Sequence, residues 1–263
     1  MKDQILEVLK EIEVSHQVKI LYACESGSRA WGFPSKDSDY DVRFIYIHKP
    51  EHYLSIDPVG VGSNRDVIER PINDILDVSG WDLTKALKLF RKSNPPLMEW
   101  MKSPIVYYQA FSTIDKMAAL QTEVFTPHSA IYHYLNMAGN NYREYLQGDT
   151  VRIKKYFYVL RPILAARWIE QLGDFPPMEF QVLLDKMLQG GLLKDEILTL
   201  LKRKISGDEL DREPKIDVVN GFLDSEIIRL KEYAKQLNLK NEDPTSKLNI
   251  IFRDTLKEVW QAK

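Results

Sequence analysis

Residues Cys24 to Ile47 contain the pattern from which the architecture follows, CESGSRAWGFPSKDSDYDVRFIYI. An apolar run over 18–24 leads into the pair Gly27-Ser28, and ten residues later Asp39-Tyr40-Asp41 opens a second apolar run over 42–47. Short apolar runs bounded by turn residues are typical of buried strands. The sequence therefore predicts two strands joined by a small loop, with a turn at one strand end and a pair of acids at the start of the other.

The two aspartates have the spacing of metal ligands on a strand. Residues i and i+2 point to the same face, so Asp39 and Asp41 are expected side by side. Adjacent carboxylates repel unless a cation lies between them, and Mg²⁺ prefers oxygen ligands. Two such ions can clamp the attacking and leaving oxygens of a phosphoryl displacement. A polar turn before a strand is the simpler interpretation of either motif alone, and the order of the motifs favours the metal site.

The Gly-Ser turn suits the phosphates of the same substrate. Glycine allows the backbone to approach a phosphate closely, and free N–H groups at a following helix start attract anions. Ser28 adds a hydroxyl donor, and Arg29 adds charge unless its side chain points elsewhere. We expect Gly27, Ser28 and Arg29 to bind a nucleotide.

The rest of the chain divides into two parts. Periodicity predicts a helix over 3–14, strands over 18–23, 42–47, 66–70 and 75–79, and a helix over 83–92, whereas nearly everything after 113 has helical period. The expected fold class is α+β, with an N-terminal mixed sheet and flanking helices followed by an all-helical part. We place the domains at 1–110 and 111–263, the second completing the nucleotide and acceptor cleft.

Composition narrows the possible classes of protein. The 263 residues are 44% hydrophobic and 28% charged, which is ordinary for a folded globular protein. The net charge of −2 argues against a large nonspecific nucleic-acid surface but allows a local basic groove. A single cysteine, Cys24, excludes an intrachain disulfide. No apolar run is long enough to cross a membrane, so a cytoplasmic location is expected.

Three stretches together resemble a known family. They are GSRAWGFPSKDSDYDVRFIY from Gly27, DVSGWDLTKALKLFRKSNPPLMEWMKSPIVY over Asp77–Tyr107, and KKYFYVLRPILAARWIE over Lys154–Glu170. The first is similar to the DNA polymerase beta nucleotidyltransferase superfamily. All three are similar to its bacterial branch of RNA-repair-pathway polymerase-beta-like proteins. The resemblance covers most of 18–170, and nothing after about 175 is matched.

The resemblance implies a third carboxylate on a later strand, and three residues are candidates for it. Asp77 lies at the position where the resembling sequences carry an acid, so we choose it. Asp82 directly precedes a helix, where an aspartate is usually an N-cap. Glu69 is the remaining alternative and is expected to end a strand.

A basic stretch in the helical part is the second candidate for nucleotide binding. On a helix, Lys154, Tyr158 and Arg161 fall on one face, with Lys155 beside them. Such a face can hold triphosphate charge and stack a base. The alternative is the solvated side of an amphipathic helix.

The resemblance implies a nucleotidyltransferase that transfers a nucleoside monophosphate from a triphosphate, with ATP expected, to an acceptor hydroxyl. Asp39 and Asp41 would bridge two Mg²⁺ ions, with Mn²⁺ as a possible substitute. Asp77 would complete the coordination shell of one of these ions and help to deprotonate the acceptor. The acceptor implied is an RNA 3′ end. Nucleotidylation of a protein or small molecule, and an inactive nucleotide-binding regulatory module, are the alternatives.

Overall fold

The computed structural model describes residues 1–36, 38–56, 66–73, 75–208, 210–237 and 243–261. The strands in these residues are β1 Val18–Glu25, β2 Tyr40–His48, β3 Val67–Asn73, β4 Leu76–Asp82, β5 Val106–Gln109, β6 Thr150–Arg152 and β7 Arg212–Pro214. The helices are α1 Lys2–His16, α2 Pro50–Tyr53, α3 Leu83–Arg91, α4 Pro95–Met101, α5 Thr113–Val124, α6 Pro127–Tyr145, α7 Lys155–Leu172, α8 Phe180–Met187, α9 Leu192–Ser206, α10 Asp217–Gln236 and α11 Thr245–Trp260.

The main sheet is mixed, and the expected α+β class is confirmed. Within the described residues its strand order is β3-β4-β2-β1-β5. β2 pairs with β1 in antiparallel and with β4 in parallel orientation, whereas β3–β4 and β1–β5 are antiparallel. The parallel pair β2–β4 is central to the site, because it brings two distant stretches of chain into direct register.

Alternation along β2 divides the core into two layers. Val42, Phe44 and Tyr46 pack with the apolar face of α1, while Ile45 and Ile47 face the other helices. This is the period of two expected of a strand that is buried on both faces. Asp41 lies on the same side as Ile45, the side that is covered by α3, α4 and α5.

One continuous hydrophobic cluster joins the sheet to the helical part. It runs from Tyr22 and Ile45 through α6 and α7 to α10. The proposed boundary between 110 and 111 therefore crosses a shared core. The helical part also contains a two-stranded ribbon, β6–β7, where the sequence predicted helices alone. Across the described residues, no helix has both the length and the apolar character needed to span a bilayer.

Gly80 in β4 makes room for the ring of Phe44 across the β2–β4 pair. A Cβ on Gly80 would lie 2.2 Å from Phe44 Cε2, which no real contact allows. Phe44 is completely buried, so its ring has nowhere to move.

We predict that Gly80→Ala lowers the free energy of unfolding by about 1–3 kcal/mol through overpacking. Urea denaturation measures the change. The control is Gly139→Ala in α6, where an added Cβ meets nothing within 4 Å, so helix propensity should leave stability unchanged or raise it. Equal effects of the two substitutions would contradict the packing argument.

Candidate active site

The Gly27-Ser28 turn connects β1 to the loop before β2 and is held by backbone hydrogen bonds. Ser26 N donates to Asp41 O at 2.8 Å, Trp31 N to Gly27 O at 3.0 Å, and Phe33 N to Ser28 O at 3.1 Å. The segment is a series of turns, and no helix begins in it. The first of these bonds ties the turn directly to the strand that carries Asp41.

Gly27 is a glycine because Asp41 occupies the space of a side chain. A Cβ there would lie 2.0 Å from Asp41 Oδ2 and 2.9 Å from Asp41 Cγ. The two motifs recognised in the sequence therefore touch each other. The carboxylate approaches the turn more closely than any other residue at position 27 would permit.

Asp41 and Asp77 are direct neighbours across the parallel pair β2–β4. Arg43 links them: its Nη2 donates to Asp77 Oδ2 at 2.8 Å and to Asp41 Oδ1 at 3.5 Å. The Asp41 side chain is 33% exposed and that of Asp77 is 50% exposed. Asp39 is exposed and lies just before β2, two residues from Asp41.

The electrostatics of Asp41 reflect this crowding. Burial raises the pKa of its carboxyl, the charges of Asp77 and Asp39 raise it further, and Arg43 opposes the shift. Like charges in one place favour the neutral form unless a cation is present. Arg43 supplies part of that positive charge.

The two alternatives for the third acid lie in other surroundings. Asp82 is buried and caps α3, with Oδ1 accepting from Thr84 N at 2.8 Å and Oδ2 accepting from the Tyr53 hydroxyl at 2.6 Å. It lines a different cleft, between α3 and α11. Glu69 is exposed on the edge strand β3 and pairs in register with Ser79. Of the three candidates, only Asp77 lies in register with Asp41.

A cleft of about 300 Å³ opens beside the turn and the acids. It brings together most of the residues that the sequence singled out: Gly27, Ser28, Asp39, Asp41, Lys154 and Tyr158. Burial raises the pKa of Tyr158, and the charges of Asp41 and Asp39 raise it further. The N-terminal end of α7 therefore forms one wall of the cleft.

Arg161 belongs to the core and not to the cleft surface. It is 2% exposed, its Nη1 donates to Glu99 Oε1 at 2.9 Å, and its Nε donates to Met178 O at 3.2 Å. Tyr134 donates to the same Glu99 oxygen at 2.6 Å. Because its guanidinium takes part in this buried ion pair, Arg161 would have to leave Glu99 to reach a triphosphate, and the nucleotide contact expected of it stays a prediction.

Arg29 and Lys155 also have partners of their own. Arg29 Nη2 donates to Ser38 O at 2.6 Å and its Nε to Asp39 O at 3.1 Å, so Arg29 fixes the loop that carries Asp39. Lys155 Nζ lies 4.3 Å from the centre of the Tyr145 ring and 4.8 Å from that of Tyr158. Lys155 therefore lies against these two rings, whereas Lys154 and Tyr158 line the cleft itself.

Two residues at the site were not found from the sequence. Glu25, at the end of β1, is completely buried; its Oε1 accepts from Asp41 N at 2.8 Å, and its Oε2 accepts from the Tyr107 hydroxyl. Lys204 of α9 reaches the cleft, where its Nζ donates to Ser35 Oγ at 2.7 Å. The acid at the end of the first apolar run was a weak signal for Glu25, and nothing local marks Lys204.

The chain belongs to the RNA repair pathway DNA polymerase beta family, whose sequence profile matches residues 1–254. This membership makes it a polymerase-beta-like nucleotidyltransferase. The resemblance inferred from the three motifs is thus confirmed, and it extends beyond residue 175, where the sequence alone gave no match.

Two individual proteins illustrate the range of similarity. Uncharacterized protein YcgL of Bacillus subtilis (strain 168) is 56% identical over 261 residues, covering 99% of this chain and 98% of that protein. The crystal structure of a nucleotidyltransferase-like protein from Exiguobacterium sibiricum 255-15 is 11% identical with a TM-score of 0.30, covering 98% of this chain and 80% of the other.

The donor set fits a hard divalent cation, although it is not preassembled. Polymerase-beta-like nucleotidyltransferases generally use divalent metals, and carboxylate oxygens are the ligands such ions prefer. Within the described residues no three His, Cys, Asp or Glu side chains already form a metal cage. Arg43 lies between Asp41 and Asp77, so an ion bound by both acids would compete with its guanidinium.

We predict that Gly27→Ala removes activity while the protein still folds. The added methyl group must displace the Asp41 carboxylate, which moves the acid away from its neighbours by a steric contact alone. Nucleotide transfer, measured with a labelled triphosphate, should fall at least about 100-fold, the effect of losing one positioned transition-state group. Gly221→Ala in α10, where an added Cβ meets nothing, is the control and should keep full activity.

The buried carboxyl of Glu25 is expected to make the stability of the protein depend on pH. Burial raises the pKa of Glu25 above its ordinary 4.5, so the folded protein binds this proton more tightly than the unfolded chain does. As far as this group is concerned, the free energy of unfolding is highest below pH 4.5 and falls as pH rises from 4.5 through the raised pKa. In Glu25→Gln, whose amide oxygen still accepts from Asp41 N, this fall in the free energy of unfolding should be smaller.

Urea denaturation across that pH range measures the effect of Glu25→Gln. Part of the slope should remain, because the pKa of Asp41 is also raised. Glu7→Gln on the exposed side of α1 serves as the control and should reproduce the unsubstituted profile. An unchanged profile in Glu25→Gln would mean that this carboxyl does not titrate abnormally.

Proposed function

We propose that this protein transfers a nucleoside monophosphate from a nucleoside triphosphate to an acceptor hydroxyl. The observation that carries the proposal is the register of Asp41 and Asp77 on neighbouring parallel strands, directly beside the Gly27-Ser28 turn. Membership of the polymerase beta family supports it, because that family implies a triphosphate substrate.

The nucleotide occupies the cleft in this proposal. The backbone of Gly27 and the Ser28 hydroxyl face the triphosphate, and Lys154 adds positive charge from the opposite wall. Tyr158 and Trp31, whose rings lie 5.5 Å apart, offer apolar surface to the sugar or base. Arg29 holds the loop before Asp39 in place, and its expected contact with phosphate stays a prediction.

Asp39, Asp41 and Asp77 are the proposed ligands of two Mg²⁺ ions, with Mn²⁺ as a possible substitute. When bound, the ions neutralise phosphate charge and activate the attacking oxygen. Arg43 keeps Asp41 and Asp77 paired until then. The acceptor oxygen attacks the α-phosphorus, the bond to the pyrophosphate oxygen breaks, and Asp77 takes the proton of the acceptor hydroxyl.

ATP is the proposed triphosphate and an RNA 3′ end the proposed acceptor. The name of the family supports RNA. Nucleotidylation of a protein or a small molecule uses the same three acids and differs only in the acceptor. The cytoplasmic location expected from the sequence stays a prediction.

We predict that Asp41→Asn abolishes transfer with the fold intact. The protein is incubated with α-labelled triphosphates, Mg²⁺ and pools of RNA, protein and small molecules, and pyrophosphate release is followed in parallel. Loss of one bridging carboxylate should reduce the rate at least about 100-fold. Pyrophosphate release at the unsubstituted rate in Asp41→Asn would exclude the proposed mechanism.

The same assay separates the three candidates for the third acid. Asp77→Asn should lose transfer without loss of stability, since Asp77 is half exposed. Asp82→Ala should cost about 1–2 kcal/mol of stability, because it removes the N-cap of α3, and keep transfer per folded molecule. Glu69→Ala should change neither. A reversed result for Asp77 and Asp82 would identify Asp82 as the third acid.

An inactive nucleotide-binding module is the second candidate, and Arg43 is the observation that favours it. Its guanidinium contacts both Asp41 and Asp77 and so occupies the place a cation would need. Triphosphate binding without any pyrophosphate release, with every acceptor pool tested, would distinguish this module from the enzyme.

A further inference from the structure

A row of alternating aromatic and cationic side chains leads outward from the cleft. Its members are Tyr158, Lys155, Tyr145 and Arg152, called here the outer row. Lys155 Nζ lies 4.8 Å from the centre of the Tyr158 ring and 4.3 Å from that of Tyr145. The guanidinium carbon of Arg152 lies 5.4 Å from the Tyr145 ring. Lys155 therefore lies beside both rings, and Tyr145 lies beside both cations.

The outer row begins at the candidate active site and ends in solvent. Tyr158 lines the cleft with Asp39 and Asp41, and its ring lies 5.5 Å from Trp31. Arg152 at the other end is exposed. The members come from three elements, the C-terminal end of α6, strand β6 and the N-terminal end of α7, so the fold and not a helical period creates the alternation.

The fold does not depend on these contacts. The neighbours that hold β6 and α7 in the core are Val151, Tyr156 and Phe157, which are buried. Cation–π contacts at exposed sites are weak, so a ligand can displace the cations from the ring faces. The outer row is thus available for binding at little cost to stability.

We propose that the outer row binds the last nucleotides of a single-stranded RNA whose 3′ hydroxyl enters the cleft. The inference rests on the proposed function and assigns the surface that binds its RNA acceptor. Aromatic rings stack on unpaired bases, and cations pair with the intervening phosphates. The alternation of ring and charge matches the alternation of base and phosphate along a strand, which a polypeptide or small-molecule acceptor does not offer.

The net charge of the chain is compatible with an RNA contact made by the few cations of the outer row. The net charge is −2, so attraction to RNA must come from a local group of cations and not from the overall field. Binding is then expected to be tolerant of sequence, since the outer row presents ring faces and charges to bases and phosphates. It is also expected to weaken as salt is raised.

The test uses the full chain and a single-stranded RNA oligonucleotide of mixed sequence, labelled at its 5′ end and carrying a free 3′ hydroxyl. Fluorescence anisotropy at several salt concentrations, without nucleotide or metal, gives Kd. Tyr145→Ala should weaken binding about tenfold through the loss of one stacked base. Arg152→Ala should lower the slope of log Kd against log salt concentration by about 0.7, the value for one phosphate contact on a single strand.

Matched controls come from the opposite face of the sheet. Tyr108 is paired with Ala23 on the α1 side, and Arg70 forms an ion pair with Glu11 of α1. Tyr108→Ala and Arg70→Ala should bind RNA as the unsubstituted chain does. Binding of the triphosphate should be the same in all four variants, which separates loss of the RNA contact from damage to the cleft.

Either of two binding results would overturn the inference: no RNA binding by the unsubstituted chain, or equal affinity and equal salt slope in the outer-row variants and the controls. Transfer of label to protein or a small molecule, with RNA unlabelled, would also overturn it and leave the proposed function standing. Binding of RNA that depends on the outer row, with no transfer to any acceptor, would instead support this surface and reject the proposed function.

Discussion

The repulsion between Asp41 and Asp77 is the constraint around which this site is built. Parallel pairing of β2 and β4 puts the two carboxylates side by side, partly shielded from water. Such a pair is stable only when positive charge lies close to it. Arg43, two residues from Asp41 on the same face of β2, provides that charge.

The surrounding residues hold Asp41 where the repulsion would otherwise move it. Gly27 leaves the space that the carboxylate fills, and Glu25 accepts the hydrogen bond of its backbone N–H. Arg29 binds the carbonyl groups of the preceding loop.

The helical part of the chain also supports the cleft. The buried Arg161–Glu99 pair lies beneath Trp31, with the guanidinium carbon 4.9 Å from that ring, so the cleft wall rests on a fixed base.

The sequence alone was sufficient to place Asp41, because β2 begins at Tyr40 and its period of two puts Asp41 on the face of Arg43 and Ile45. Asp39 lies just before β2, so the period of the strand does not fix the direction of its side chain. Asp77 depends on which strand lies beside β2, and only the family resemblance suggested it. Lys204 meets Ser35 from 169 residues away, and no local pattern encodes such a contact.

Arg161 illustrates a different limit. Helical period places it on the face of Lys154 and Tyr158, but α7 is buried almost all round beyond its first turn, from Val159 to Ala166. When every side of a helix is buried, its hydrophobic period does not distinguish residues that face the core from residues that face a cleft. The exposed residues Lys154 and Tyr158 lie near the N-terminal end of α7, and position along the helix decided their exposure more than the face did.

Charge balance finally relates Arg43 to the proposed chemistry. A triphosphate in the cleft would bring further negative charge to Asp39, Asp41 and Asp77, while the cations lining the cleft in the described residues are Lys154 and Lys204. These two lysines and Arg43 cannot offset three carboxylates and a triphosphate together. Substrate binding and cation binding are therefore expected to be coupled. A divalent cation that binds with the nucleotide would displace the guanidinium of Arg43 from the carboxylates. The ion pairs of Arg43 with Asp41 and Asp77 would then be exchanged for contacts between these acids and the cation.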